Sequence, residues 1–295
     1  MTDTSISKPL AGVLWMVVTT ICFVLVNVTV KIIGTGLPIA QVAFMRFLLG
    51  LVFLIPMLGA VRRVRLTRAI VWLSLGRGVV HAVAMGLWFY AMTRIPMAEV
   101  TAMNFMNPVY VTLGAVVFFN EKIALPRILA LGLAVIGGLV ILRPGLRPID
   151  PGHVAMIFAA VAFAGSYLCA NAMSKRVPAT VVVFALSTVV PLILAPFAIA
   201  VWQTPTSMQV LLIFLTAFFA TVAHYCMTRA FACAPQSIVQ PVSFLQLVWA
   251  MILGAALFGE GFDGFVMLGG AMIMGSVTYI TMREMRAKRR AKIAS

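Results

Sequence analysis

The amino-acid sequence predicts an all-α integral membrane protein of ten transmembrane helices, arranged as two inverted five-helix repeats with both termini cytoplasmic. Composition is the first ground: 63% of the 295 residues are hydrophobic and 10% charged, against about 45–50% and about 25% in a soluble domain. The second is a series of ten apolar runs of the length needed to cross a hydrocarbon core of about 30 Å. The third is a duplication. Phe105 to Glu121 reads FMNPVYVTLGAVVFFNE and Phe244 to Glu260 reads FLQLVWAMILGAALFGE. Laid over each other without a gap, Phe105 falls on Phe244, Asn107 on Gln246, Tyr110 on Trp249, Phe119 on Phe258 and Glu121 on Glu260, and the same offset puts Pro96 on Pro235. A five-helix unit that recurs must enter the membrane upside down relative to the first copy, an arrangement typical of transporters with a site near the midplane.

The runs fall at residues 10–33, 39–60, 69–92, 97–119, 125–142, 152–173, 179–201, 208–231, 237–258 and 263–282, which divides the chain into repeats 1-146 and 147-295. A net charge of +15 would suggest nucleic acid in a soluble protein. Here its placement decides otherwise, because Lys and Arg crowd into alternate loops and the C-terminal tail. Outside loops keep only Lys31, Arg94, Arg143 and Arg147, and the positive-inside rule sets both ends in the cytoplasm. The basic tail then rests on the membrane surface and the partner is the lipid bilayer, with no nucleic acid. Cys22, Cys169, Cys226 and Cys233 show no metal-ligand spacing and read as small core residues.

Along the first run Phe23, Asn27 and Lys31 recur every four residues, on one helix face. The sixth run answers with Tyr167, Asn171 and Lys175. Both lysines stand at helix ends, where they can snorkel to headgroups, while an amide at helix depth wants a partner from another helix or a ligand. The second run carries Arg46 with Leu186 opposite it in the repeat. A guanidinium there costs about 2.5–3.5 kcal/mol even on permissive insertion scales, so Arg46 either binds an anionic group or, the preferred reading, ties backbone carbonyls across the bundle.

In the third run Arg77, His81, Met85 and Trp88 form one stripe, and His224 on the eighth aligns with Met85. These imidazoles are either substrate or proton contacts or hydrogen-bonded spacers, and with no third ligand a metal site is not expected. The fourth and ninth runs hold Asn104, Asn107 and Tyr110 against Ser243, Gln246 and Trp249. Interior Pro108 and Pro241 remove helix hydrogen bonds and predict kinks, and interrupted helices mark the site in many transporters. Gly132, Gly137 and Gly138 in the fifth run and Gly269, Gly270 and Gly275 in the tenth give small surfaces for a scaffold or a homodimer contact. Glu121 and Glu260 close the fourth and ninth runs and read as turn-fixing acids.

The arginine of the second run, the stretch FYAMTRIPMAEVTAMNFMNPVYVTLGAVVFFNEKI followed by GLAVIGGLVILRPG, and the second copy ending LFGE together resemble the drug/metabolite transporter superfamily, specifically its EamA-type permeases. The resemblance covers nearly the whole chain. It implies a bacterial cytoplasmic (inner) membrane protein with no cofactor, and a central cavity lined by Asn27, His81, Trp88, Asn107, Tyr110, Tyr167, His224, Gln246 and Trp249. Leu247 stands where many relatives have a second proline matching Pro108.

Charge narrows the substrate. Asp3, Asp150, Asp263, Glu121, Glu260 and Glu284 lie at run ends or in loops. That leaves Glu99, in the first turn of the fourth run, as the one intramembrane acid to expect, and with Arg46 and Arg77 it is a candidate charge or proton site. A cavity for an organic cation should offer a carboxylate, since an unpaired buried charge is very costly, so a multidrug-cation exporter is disfavoured. Export of neutral or zwitterionic amino acids or similar small metabolites fits best, with an exchanger or uptake transporter of nucleotide-like or adenosyl compounds, such as S-adenosylmethionine, as the alternative. No HExxH, GxSxG or acid pair in the helices points to an enzyme.

Overall fold

Apolar runs become helices wherever the backbone can satisfy itself, because lipid offers no hydrogen-bond partner. The computed structural model describes residues 9–294 apart from 63, 65, 66, 120–124, 147, 175 and 235. The described helices are α1 (Pro9–Ile33), α2 (Ile39–Gly50), α3 (Leu58–Val61), α4 (Arg68–Arg94), α5 (Met97–Asn104), α6 (Asn107–Phe119), α7 (Leu125–Leu142), α8 (Pro151–Ser174), α9 (Ala179–Ala200), α10 (Ser207–Cys233), α11 (Gln236–Val242), α12 (Leu245–Phe258) and α13 (Gly264–Ala294), with a 3-10 segment, Leu51–Met57, between α2 and α3. Among them, 8 stretches are long and apolar enough to cross a membrane.

The second and fourth expected helices differ from expectation by being broken. In the second, Pro56 has no N–H to give, and the helix tightens into the 3-10 segment before α3 resumes. Proline alone does not force this, since α9 holds Pro191 and Pro196 and stays one helix. The fourth is cut at Phe105 and Met106, whose N–H groups turn back to the carbonyls of Ala102 and Met103. Pro108 cannot donate to Asn104, and therefore opens the second segment instead of bending a continuous one. In the ninth run the cut falls at Ser243 and Phe244, just after Pro241, with the same tightened bonds to Gln240 and Pro241. The two breaks thus stand at matching places although the prolines do not, and the Phe105 and Phe244 rings lie 6.3 Å apart at 32°.

Helix ends have local causes. Thr67 caps α4, Thr206 and Gln209 form a capping box on α10, and Gly259, at φ 64°, ends α12 in the left-handed conformation.

Long helices pair across the two halves of the chain: α1 with α10, α4 with α8, α2 with α9, and α7 with α13, while α6 lies on α8 and α12 on α1. Each pairing goes over into another, or into itself, when every segment is replaced by the one five further along. Gly137 and Gly269 make the α7 and α13 contact close: a Cβ at 137 would stand 2.7 Å from the Gly269 carbonyl oxygen. These glycines therefore serve contact within the chain. The core is aliphatic and Met-rich, with Met92, Met97, Met156 and Leu247 fully buried. Large apolar side chains also cover the outside, among them Leu129, Leu192, Phe197 and Ile199, each more than 60% exposed. An apolar belt of that kind is a liability in water and is matched by acyl chains.

Candidate functional site

The centre of the bundle is built on α2 and α4. Arg46 directs Nη1 to the Met85 sulfur at 3.4 Å and lies over the Phe47 ring at 5.1 Å. Its buried Nε has no hydrogen-bond partner, so the expected tie to backbone carbonyls is not what Arg46 makes. Arg77 makes that tie instead, donating to the Val182 carbonyl on α9 at 2.8 Å. His81 shares a hydrogen with Ser166 of α8 at 3.1 Å and stands edge-on to Phe47 and Phe163. His224, on α10, is edge-on to Phe23. Both histidines lie within electrostatic reach of Arg46 and Arg77, and of each other. His224 and Tyr167 are exposed, Tyr167 to 48%, and Tyr167 stands within reach of Arg77.

Other expected residues are held by protein partners. Asn27 donates to Thr101 of α5 at 3.1 Å, Asn107 to Asn104 at 2.8 Å across the α5–α6 break, and the Trp249 indole to Thr20 at 3.3 Å. The Asn107 Oδ1 is buried and unbonded. Trp88 is buried edge-on to Phe89, whereas Tyr110 and Gln246 are half-buried. Among the described residues no three metal-ligating side chains gather. A shallow apolar crevice lined by Val30, Ile33, Leu37, Val42 and Phe89, too tight to hold a solute, lies at one end of α1, and Thr93 is its one side-chain hydroxyl.

A second cluster, at the end assigned to the outside by the positive-inside rule, was read differently from sequence. Glu99 does not face the centre: its carboxylate, 3% exposed, meets His153 Nε2 at 2.5 Å. His153 was missed, though Asp-Pro-Gly-His at a run start places it within the first turn of α8. Asp150 accepts from the Gly152 N–H at 2.6 Å and from Arg94 Nε at 3.0 Å. First Arg94 and then that N–H hold the Asp150 carboxyl below its usual range. Arg143 pairs with Asp263, and Gln41 exchanges two hydrogen bonds with the Gln203 backbone. Lys31 does not snorkel and Glu260 does more than fix a turn: the two form an ion pair, and Glu260 also accepts from the Met97 N–H. Glu121 and Lys175 lie outside the described residues. Apart from the Gly152–Asp150 bond, each of these joins the first half of the chain to the second.

A bundle of apolar helices around a cationic, aromatic centre defines a membrane carrier of small solutes. The chain belongs to the EamA-like transporter family, whose pattern it matches over residues 10–143 and again over 150–282, and it is an integral protein of the bacterial inner membrane. It is 29% identical over 291 residues to a riboflavin transporter of Vibrio cholerae, covering 96% of this chain and 97% of that one. A riboflavin transporter of Rhizobium johnstonii is 27% identical, covering 96% and 95%. An S-adenosylmethionine uptake transporter of Rickettsia conorii is 25% identical, covering 95% and 96%.

Proposed function

We propose that this chain is an alternating-access transporter, built of two inverted repeats (1-146 and 147-295) that cross the membrane five times each, and that its solute is a neutral, planar heteroaromatic metabolite of the flavin type. One observation carries the solute class. Arg46 lies over the Phe47 ring with its buried Nε unengaged, and among the described residues no carboxylate pairs with it. Such a donor suits the carbonyl edge of a heteroaromatic ring, whose faces stack on aromatic side chains. His81, His224, Tyr167 and the half-buried Gln246 add polar contacts around it. The riboflavin transporters among its relatives agree in chemistry with that reading.

A sulfonium solute fits less well, because Arg46 and Arg77 would face its positive charge without a compensating acid. Zwitterionic amino acids, the expectation from composition, remain the competing solute, with Arg46 on the carboxylate. Counterflow in proteoliposomes decides between them. Vesicles preloaded with unlabelled riboflavin should accumulate labelled riboflavin saturably, and amino acids or S-adenosylmethionine should not replace it. Exchange of amino acids with no riboflavin exchange overturns the solute class.

A further inference from the structure

The geometry points to Glu260 as the residue that locks the outer end of the carrier, by holding a lysine and a helix N-terminus of the other half at once. This rests on the transport reading but not on the solute. Three elements meet at the carboxylate. Lys31 comes from the end of α1, the Met97 N–H is the first of α5, and Glu260 itself follows α12. Because Met97 follows Pro96 at the start of α5, its N–H has no partner inside the helix and carries part of the positive end of the helix dipole. An acid there is doubly matched, by a full charge and by an oriented donor.

The surroundings are built to aim this side chain. Gly259 takes the left-handed conformation, its N–H returns to Ala255 and the Glu260 N–H returns to Gly254, so the turn is closed by backbone and the carboxylate is free for another task. Any side chain at Gly254 would run into the Glu260 carboxyl group. Lys31 is held from its other sides by the Ile95 carbonyl at 3.2 Å and the Phe258 ring at 5.5 Å. A surface acid that merely ended a helix would need neither the glycine gap nor these partners. The side chains of Lys31 and Glu260 are 18% and 11% exposed, so solvent screening is weak and release must be concerted. Opening the outer end requires Glu260 to leave both partners, because they belong to the first half and it belongs to the second.

The duplication writes the same chemistry twice. By sequence, Glu121 corresponds to Glu260, Lys175 to Lys31 and Gln236, after Pro235, to Met97 after Pro96. An acid that locks one end in one conformation therefore has a counterpart by sequence in the other repeat.

Cysteine accessibility tests this. Val100, fully buried one turn into α5 beneath the lock, is replaced by cysteine in a full-length chain whose four native cysteines are changed to alanine. Right-side-out vesicles are then treated with a membrane-impermeant maleimide. E260Q, which keeps an acceptor for Met97 but loses the charge for Lys31, should raise the labelling rate at least about fivefold. G254A, which leaves every charge in place and displaces the carboxylate, should do the same. E121Q, acting on the opposite repeat, should lower the rate or leave it unchanged. Equal labelling of parent, E260Q and G254A overturns the proposal, as does an increase with E121Q equal to that with E260Q. Retention of the folded elution profile separates opening from unfolding. Labelling does not involve solute, so a failed riboflavin exchange and a failed lock are told apart.

Discussion

At the scale of single residues, two arginines that look alike in sequence do different work. Arg77 is 8% exposed and donates to a backbone carbonyl on a neighbouring helix. R77Q should therefore lower stability by about 1–3 kcal/mol, the cost of leaving a buried partner unsatisfied, seen as a lower thermal midpoint in detergent. Arg46 makes one soft contact to sulfur, and although each of the two keeps a buried Nε unengaged, only Arg77 has a backbone acceptor. R46K keeps the charge but loses the planar fork, so solute affinity should fall about tenfold by binding titration while the midpoint hardly moves. Asp150 supplies a pH prediction. Its carboxyl is held below the ordinary value of about 3.9 by Arg94 and the Gly152 N–H, so its contribution is complete above that value and is lost as pH falls through the lower folded one. D150N should remove that part of the acid sensitivity in a series of thermal scans below pH 5, with little change at pH 7 because the Arg94 pair is partly exposed.

Helices four and nine show at the element scale what a broken helix needs. Both are cut where tightened bonds replace the regular ladder, at Phe105 and at Phe244, and the two cuts face each other. The proline lies after the first cut and before the second. Leu247 standing opposite Pro108 thus did not spare the second copy, because Pro241 removes a donor on the other side. The glycine pair of α7 and α13 is the other element-scale feature. With Gly137 and Gly269 backbone to backbone, G137V should wedge the helices apart and cost about 1–3 kcal/mol through overpacking, measured by unfolding in detergent. G132V, where open space would receive the side chain, is the matched control and should be near neutral.

For the whole molecule, the ion pairs that the described residues make between the halves gather at one end. Glu99–His153, Arg94–Asp150, Arg143–Asp263, Lys31–Glu260 and Gln41–Gln203 all cross from one half to the other there. The basic tail of α13 belongs to the opposite end. Topology gives a further prediction: a fluorescent protein fused after Ser295, of a kind that matures only in the cytoplasm, should fluoresce, and a periplasmic phosphatase fused there should be inactive. The reverse pattern would invert the assignment of inside and outside, and with it the side on which the Glu260 lock acts.

Membrane residence, the family and the duplicated stretch were legible in the sequence because each depends on composition, on period or on recurrence, which need no third dimension. So was the placing of His81 and His224 on equivalent faces of related helices, since it follows from helical period alone. The partner of each polar group was not legible. Lys31 and Glu260 read as a snorkelling cation and a turn acid, and Glu99 as a lone intramembrane acid, because sequence gives each side chain's depth but not which helix crosses beside it. His153, which binds Glu99 from far along the chain, carried no local sign of that role. Those assignments were decided by the packing of one half on the other: inside lipid a charge must find its complement in the protein, and only the tertiary fold determines which one lies within reach.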